Sequence, residues 1–431
     1  MSAPPDQISE RIARICDGVD AWLNNEDGIL DITVDRTATE GLFPRHDVMH
    51  MLKQVSATVT PEALQGWVDR VCKVQQAGKA GKADQAGKAG KADQAGKVQQ
   101  AGKVQQADKA GKADQVDMVN QADSEISSGS IHAQSLHMPK VLCLHAGNLP
   151  LVGLQDIIAT LLSGAVYYGK LSRRDPWLAD GLLRVLRKRL PDQLGGWASR
   201  LEEVGKVGAD KVLFAGAESS VEEVKQRIHE LGLASDQTHF LPRTARFSMA
   251  WLDEKDFQSD NVRLSKHLIE AMMRYEGRGC RSLAVVVARR SLSEFSGSLI
   301  DAAEVFVRRN RPSHYRKPGV SYWRSYLKST GKEVYDIGSQ IISDDHELIG
   351  REDVICWLTG DEEDVVRLAR QFGPQLQQVY VYAGREALSQ KGVRSLSDVP
   401  EIRLEPLSNA QSPPIDWQPD GIDVLEWLWD A

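Results

Sequence analysis

The stretch "MPKVLCLHAGNLPLVGLQDIIATLLSGAVYYGKLS" (138–172) contains two short apolar runs on either side of a longer amphipathic one. "KVLCLHA" and "AVYYGKLS" have the length of strands, whereas "LPLVGLQDIIATLLSG" has the length and period of a helix. The pattern continues with helix "DPWLADGLLRVLRKRLP", strand "DKVLFAG", helix "ESSVEEVKQRIHELG" and strand "RFSMAWLD". Strands that alternate with helices are joined by right-handed crossovers, so the sequence predicts an α/β fold with a parallel sheet covered by helices.

Polar and glycine-containing sequence follows three of the predicted strands, as "HAGN", "GKLS" and "FAGAESS". Ligands of open parallel sheets bind at the carboxyl ends of the strands, and we therefore expect a binding site there. Neither GxGxxG nor a Walker A sequence occurs in the chain, so no common phosphate-binding motif names the ligand.

Cys280 lies in "YEGRGCRSL" (275–283), just ahead of the predicted strand "SLAVVVA". Glycines let a backbone approach other groups closely, and flanking guanidinium groups favour the thiolate that a nucleophilic cysteine needs. The other cysteines lie in predicted strands or helices and show no zinc or disulfide spacing; they are Cys16, Cys72, Cys143 and Cys356. Two interpretations of Cys280 remain open from the local sequence, a nucleophile or a small buried hydrophobe.

The chain of 431 residues divides into five segments by composition and pattern. We predict an N-terminal, mainly helical segment (1–72), a low-complexity insert (73–125), a first α/β segment (126–252), a second α/β segment (253–400) and a tail that docks (401–431). The second segment would begin with helix "SDNVRLSKHLIEAMMRYEG" and continue through the Cys280 loop.

The insert repeats "QAGKAGKAD" twice in tandem (76–93) and then decays. It has almost no large apolar side chain to bury, and we expect it to be disordered. A basic tether for an acidic partner, such as an acyl carrier protein, is the alternative. Residues 73–114 hold nine lysines and four aspartates, whereas the whole chain has a net charge of −7. This acidic balance argues against nucleic acid as the main partner.

Membrane, export and metal signals are weak in this sequence. No apolar run approaches the roughly 20 residues that cross a bilayer, and the N-terminus lacks a signal-peptide pattern, so we predict a cytoplasmic protein. His46 and His50 are four residues apart and could face one ion, but no third ligand accompanies them at ligand spacing. We therefore predict no metal site.

Several stretches in order resemble the aldehyde dehydrogenase superfamily and, within it, the fatty acyl-CoA reductase family typified by the bacterial bioluminescence reductase subunit. They are "HAGNLPLVGLQDIIATLLSGAVYYGKLS", "VLFAGAESSVEEV", "YEGRGCRSL" and the tail "RLEPLSNAQSPPIDWQPDGIDVLEWL" (403–428), with its Trp followed by Asp-Gly. The resemblance implies an aldehyde-dehydrogenase-like fold, in which 126–252 is the cofactor-binding domain and 253–400 the catalytic domain.

The resemblance also implies roles for individual residues. Cys280 would be the nucleophile that forms an acyl thioester, and the side-chain amide of Asn148 would hold the developing oxyanion, although a turn asparagine ahead of Pro150 would look the same. The cofactor would be bound by the end of the second strand, at Lys170 and Ser172, and by the turn at Gly216 and Ala217. Arg173 favours NADPH, because its guanidinium group could pair with a 2′-phosphate.

Two features depart from the superfamily. No glutamate occurs from Leu231 through Asp253, where hydrolysing members place a general base, and no Glu-x-Phe-Gly follows the cysteine. The sequence thus predicts an NADPH-dependent reductase that converts an acyl-CoA or an acyl carrier protein thioester to an aldehyde. The alternatives are a nonacylating aldehyde dehydrogenase and a degenerate cofactor-fold scaffold. The resemblance further implies an oligomer, whereas the acyl chain length and the choice between the two thioester donors stay open.

Overall fold

The computed structural model describes residues 5–41, 43–77, 138–258, 260–310, 318–382, 396, 399 and 402–430. The chain divides into two compact units, one of residues 1–69 with 138–431 and the other of residues 70–137. Only 70–77 of the second unit are described, as the end of a helix that begins at residue 61. The predicted disorder of the repeat therefore concerns residues that lie almost entirely outside the described ones.

The first sheet confirms the parallel α/β pattern. Its strands are β1 (Lys140–Leu144), β2 (Val166–Lys170), β3 (Leu194–Ala198), β4 (Ala209–Ala215) and β5 (Ala234–Arg243), all parallel in the order β3-β2-β1-β4-β5. The chain order reverses direction between β1 and β4, which creates the crevice where such sheets bind ligands.

Helices cover this sheet because their apolar faces need burial. The N-terminal helices are α1 (Pro5–Leu23), α2 (Ile29–Thr39), α3 (Arg45–Thr58) and α4 (61–77), and those between the strands are α5 (Leu154–Ser163), α6 (Trp177–Arg189) and α7 (Val221–Glu230). Both α1 and α2 pack against α6. Ile157, Ile158 and Leu161 of α5 are fully buried, so this helix is part of the core.

The second sheet has the order β12-β11-β6-β7-β10-β9-β8 and is parallel except at β8. Its strands are β6 (Phe247–Leu252), β7 (Leu283–Ala288), β8 (Val334–Asp336), β9 (Ile341–Ser343), β10 (Val354–Thr359), β11 (Leu376–Val381) and β12 (Leu404–Pro406). Its helices are α8 (Glu254–Phe257), α9 (Asn261–Met273), α10 (Leu292–Asn310), α11 (Pro318–Ser329), α12 (Glu362–Phe372) and, in the tail, α13 (Val424–Trp429).

The strand at 247–252 corrects one assignment made from the sequence. The sequence pattern puts it in the first α/β segment, whereas β6 pairs with β7 and β11 in the centre of the second sheet. All six of its residues are buried, because a central strand is covered on both faces. The other segment boundaries stay a prediction.

The tail folds back onto the main unit. Asp423 caps α13 and accepts a hydrogen bond from Trp67 Nε1 at 2.9 Å. Lys211 Nζ donates to the carbonyl oxygens of Trp427 and Leu428 at the other end of that helix. Among the described helices, none has both the length and the apolar character needed to span a membrane.

Candidate active site

A cavity of about 690 Å³ lies where the carboxyl edge of the first sheet meets the amino edge of the second. Residues that follow β1 and β4, residues that begin β6, β7 and β10, and residues of the tail all line it; examples are His145, Ala217, Phe247, Leu283, Val354 and Trp417. The rule that ligands bind at the carboxyl ends of strands predicts only the residues after β1 and β4, because the Cys280 loop comes before its strand, β7.

The loop that carries Cys280 begins with a strained turn. Tyr275, Glu276 and Gly277 are consecutive residues with positive φ angles of 56°, 56° and 69°. A Cβ atom at Gly277 would lie 2.4 Å from Gln340 Nε2, so both the backbone conformation and the space require glycine there. Left-handed residues of this kind are costly and cluster at functional sites.

Cys280 lines the cavity and is partly exposed. Its carbonyl oxygen accepts a hydrogen bond from Ser248 Oγ at 3.0 Å, which ties the loop to β6. Burial raises the pKa of the Cys280 thiol; Arg281 and Arg243 oppose this effect, and Asp420 adds to it. The two arginines therefore favour the thiolate form of Cys280, whereas burial and Asp420 favour the neutral thiol.

Asn148 connects the first sheet to this loop. It follows β1, and its Nδ2 donates to the backbone oxygen of Arg278 at 3.0 Å. Its Oδ1 is buried without a hydrogen-bond partner in the described part of the chain. The Arg278 side chain pairs in turn with Glu276 at 2.8 Å. Asn148 and Cys280 thus line one cavity, and the amide nitrogen of Asn148 anchors the loop that carries Cys280.

The residues predicted to bind the cofactor fall into two groups. Gly216 and Ala217 line the cavity at the end of β4, as does Asn148 at the end of β1. Lys170, Ser172 and Arg173 lie outside the cavity lining, at the end of the neighbouring strand β2. Ser172 is buried, and its Oγ accepts from the backbone N–H of Arg174 at 3.0 Å, which is a local turn contact.

Lys170 has no hydrogen-bond or ion-pair partner for its ammonium group among the described residues. Burial lowers the pKa of this lysine, and the neighbouring Arg173 lowers it further. Arg173 itself is exposed. Two cations without a carboxylate between them form a site that is suited to an anion.

A buried polar cluster that the sequence pattern does not predict forms part of the cavity wall. Arg243 donates to both carboxylate oxygens of Asp156, at 2.8 and 2.5 Å. His145 Nε2 lies 2.7 Å from the Tyr167 hydroxyl, and burial is the main reason why the pKa of His145 falls to about 4. The sequence does mark this cluster, since Asp156 is the only charged residue in the largely apolar helix "LQDIIATLLS".

The tail contributes Trp417 and Asp420 to the same cavity. Asp420 has a φ angle of 54°, and its Oδ2 accepts from the backbone N–H groups of Thr244 and Ala245 at 2.7 and 3.2 Å. These two residues connect β5 to β6, so the tail lines the cavity and also binds the link between the sheets. The "PDG" sequence predicts a turn but not its partner.

Carboxylates line the cavity, although no glutamate occurs from Leu231 through Asp253. Asp156, Glu276, Glu352, Asp353 and Asp420 line it. Asp253 instead caps α8, and Asp236 lies in an exposed contact with His229. The position of an acidic residue in the sequence therefore does not predict whether its side chain lines the same cavity as Cys280.

His46 and His50 have separate contacts. His46 Nε2 lies 3.2 Å from Asp47 Oδ1, and His50 Nε2 lies 3.3 Å from the Gln411 carbonyl oxygen. In the described residues, no group of three or more His, Cys, Asp or Glu side chains is arranged to hold a metal ion.

Comparison with known proteins identifies the fold. No family model matches the sequence, and no curated protein matches it. Among solved structures, aldehyde dehydrogenase 21 from Physcomitrella patens, in complex with the reaction product succinate, matches with a TM-score of 0.59 at 12% identity, over 98% of this chain and 84% of that one. Gamma-glutamyl-gamma-aminobutyraldehyde dehydrogenase from Burkholderia cenocepacia matches at 0.56 and 13%, over 92% and 75%.

An indole-3-acetaldehyde dehydrogenase in complex with NAD+ matches with a TM-score of 0.55 at 12% identity, over 88% of this chain and 73% of that one. At such identities the likeness concerns the arrangement of the backbone. The two sheets and the helices around them therefore give this chain an aldehyde-dehydrogenase-like α/β fold.

Proposed function

We propose that this protein is an NADPH-dependent reductase of acyl thioesters that works through a covalent acyl group on Cys280. The supporting observation is that one cavity joins Cys280, the Asn148 loop and the carboxyl ends of β1 and β4. The nucleophile and the crevice of the first sheet thus open into the same space, as a transfer between a bound thioester and a bound dinucleotide requires.

The chain's own residues perform the acyl transfer. The Cys280 thiolate attacks the thioester carbonyl carbon, and the C–S bond to the donor breaks, so that the donor leaves as a thiolate that takes one proton from water. The negative charge on the carbonyl oxygen at the tetrahedral stage needs hydrogen-bond donors, each worth about 3 kcal/mol. The Asn148 amide and the Cys280 backbone N–H have these roles in the proposal.

NADPH, when bound, supplies the hydride that reduces the acyl carbon of the Cys280 thioester. The resulting thiohemiacetal on Cys280 collapses to the aldehyde and restores the thiolate. Lys170 and Arg173, unpaired with any described carboxylate, fit the cofactor's ribose and 2′-phosphate. The turn at Gly216 and Ala217, ahead of α7, fits its pyrophosphate, because a helix N-terminus attracts anions.

A nonacylating aldehyde dehydrogenase is the second candidate, and one observation favours it. Glu276 lines the cavity four residues before Cys280, where a carboxylate could activate water. Against this role, the Glu276 carboxylate is already engaged by the Arg278 guanidinium group at 2.8 Å. The two functions differ in the fate of the acyl group, which goes to aldehyde in one and to free acid in the other.

The test is to mix the full chain with a panel of acyl-CoAs without NADPH and to locate the adduct by peptide mass spectrometry. We expect one acyl group on the peptide that contains Cys280, and aldehyde on addition of NADPH. Cys280→Ala should form neither, whereas Cys72→Ala, at the other cysteine that is not fully buried, should form both. An adduct elsewhere contradicts the proposal. Sustained acid release from aldehyde and NADP supports the second candidate instead.

A further inference from the structure

Gln340 is a buried side chain of the cavity wall that the acyl transfer and the cofactor contacts leave without a role. It is 5% exposed, lines the cavity and lies directly before β9. Its Oε1 atom is buried and has no hydrogen-bond partner in the described part of the chain. A buried acceptor without a donor is costly, and native proteins retain few of them. The cavity therefore holds an acceptor that is free to bind a ligand.

The hairpin between β8 and β9 fixes the backbone of Gln340. The carbonyl oxygen of Gln340 accepts a hydrogen bond from the Ile337 N–H at 3.1 Å, and Gly338 inside this turn has a φ angle of 102°. The next residue, Ile341, pairs with Val354 of β10, which also lines the cavity. The backbone on both sides of Gln340 is thus held by the second sheet.

The side-chain amide of Gln340 lies against the loop that carries Cys280. A Cβ atom at Gly277 would lie 2.8 Å from Cδ and 2.9 Å from Oε1 of Gln340, so the amide covers this glycine. Gly277 is three residues before Cys280. The proposed pyrophosphate turn at Gly216 and Ala217 instead follows β4 of the first sheet. The unpaired oxygen therefore belongs to the Cys280 side of the cavity, where the proposed function puts the thioester.

A ligand that satisfies Gln340 Oε1 must bring a hydrogen-bond donor close to Cys280. In a pantetheine thioester, the group that CoA and carrier proteins share, an amide N–H follows the thioester sulfur after a short ethylene link. A saturated acyl chain and a simple aldehyde carry no donor of this kind. The unpaired acceptor thus matches the leaving-group side of a pantetheine thioester.

We propose that Gln340 Oε1 accepts a hydrogen bond from this amide N–H and so selects pantetheine thioesters over other acyl donors. The inference rests on the proposed function, because it names the part of the substrate that the cavity recognises. A missing N–H would leave the oxygen buried and unpaired beside the bound substrate, which is the basis of discrimination at such sites.

The test compares two small thioesters that carry the acyl group that reacts fastest in the acyl-CoA panel. One is the thioester of N-acetylcysteamine, which has the amide N–H, and the other is the thioester of acetoxyethanethiol, in which an ester oxygen replaces that N–H. Without NADPH, the Cys280 thiolate attacks the carbonyl carbon, the C–S bond breaks, and the leaving thiolate takes a proton from water. Mass spectrometry of the Cys280 peptide gives each rate, which is divided by the rate with a free thiol in buffer.

For the wild type we expect the amide compound to react about tenfold faster than the ester compound, because one hydrogen bond to a buried acceptor is lost in the ester. Gln340→Met, which has a side chain of similar length without the acceptor, should lower this ratio to about one. Gln411→Met is the matched control, since Gln411 is 2% exposed and its Oε1 also lacks a partner among the described residues, but it does not line the cavity. This control should keep the wild-type ratio.

Acyl-CoA and an acylated carrier protein, compared as donors, show which of the two brings the pantetheine group. Gln340→Met should slow acylation by whichever donor the wild type uses. A wild-type ratio near one, or an equal loss of the ratio in Gln411→Met, would overturn the inference and leave the proposed function standing. Weaker NADPH binding by Gln340→Met with an unchanged ratio would assign this side chain to the cofactor and also overturn it. No acylation of Cys280 by any thioester would overturn both.

Discussion

Single side chains around the cavity are held by partners far along the sequence. Asn148 bonds the Arg278 backbone, and Arg243 binds Asp156 across 87 positions. Each of these contacts fixes a polar group that would otherwise be costly to bury. The chemistry of Cys280 therefore depends on side chains whose positions are set by both sheets and by the tail.

His145 gives the protein a predictable response to acid. Its pKa is about 4 in the folded chain, whereas an unperturbed histidine has a pKa of 6.5, so below pH 6.5 the unfolded chain binds a proton that the folded chain does not. This difference destabilises the fold as pH falls from 6.5 to 4, by roughly 3 kcal/mol in total. We expect His145→Gln to lose correspondingly less stability between pH 7.5 and pH 4, as measured by urea unfolding.

The control for this prediction is His229→Gln, because the His229 side chain is 60% exposed. That variant should lose as much stability as the wild type over the same pH interval. If His145→Gln also behaves like the wild type, burial of the imidazole does not govern the acid response.

In the proposed function, Arg173 is the residue that would favour NADPH over NADH. One charge-assisted contact with a 2′-phosphate is worth about one factor of ten in affinity or more. We expect Arg173→Gln to raise the KM for NADPH about tenfold and to leave the KM for NADH unchanged. Arg200→Gln, at an exposed arginine beyond β3, serves as the control. Equal effects on both cofactors would show that Arg173 does not contact the phosphate.

At the scale of elements, the start of α5 is fitted closely to the end of β1. A Cβ atom at Gly153 would lie 1.8 Å from His145 Nδ1, so any side chain must displace the imidazole ring. The ring is held by Tyr167 and lines the cavity. The junction of strand and helix thus tolerates only glycine, although the φ angle of −84° is open to all residues.

We expect Gly153→Ala to lower the free energy of unfolding by about 1–3 kcal/mol, the usual cost of overpacking a core. Gly66→Ala, in the middle of α4, is the matched control. Nothing in the described part of the chain lies within 4 Å of its added Cβ, and alanine favours a helix over glycine by up to about 1 kcal/mol. Thermal and urea unfolding of the wild type and both variants measures these changes in stability. If Gly153→Ala is as stable as the wild type, His145 moves aside without cost.

At the scale of the whole molecule, the repeat should be separable from the fold. Residues 77–114 contain almost no large apolar side chain and so offer nothing for a core to bury. Deleting them should change the Tm by less than about 2 °C and leave turnover with free acyl-CoA unchanged. A loss of several degrees in differential scanning calorimetry would show that the segment packs against the rest.

The sequence alone determined the parts of this protein that depend on local pattern. The periods of apolar residues over 138–230 are enough to predict three strands of the first sheet, β1, β2 and β4, and the helices α5, α6 and α7, because burial of one face is encoded within each element. They do not predict β3 and β5, whose sequences "LGGWA" and "ASDQTHFLPR" are rich in glycine or polar residues. The loop setting of Cys280 is likewise local, since two glycines and two arginines lie within three positions of it, which is true of none of the four other cysteines.

Only the tertiary structure decided which distant residues meet. The apolar run 247–252 has the pattern of a buried strand, which would fit either sheet. Its pairing with β7 and β11 depends on the path of the whole chain. The same holds for Arg243 with Asp156 and for Asp420 at the link between the sheets. A single sequence carries each residue's preference for burial or exposure, but contacts across 87 or 176 positions are set by how the elements pack, and no local preference contains that information.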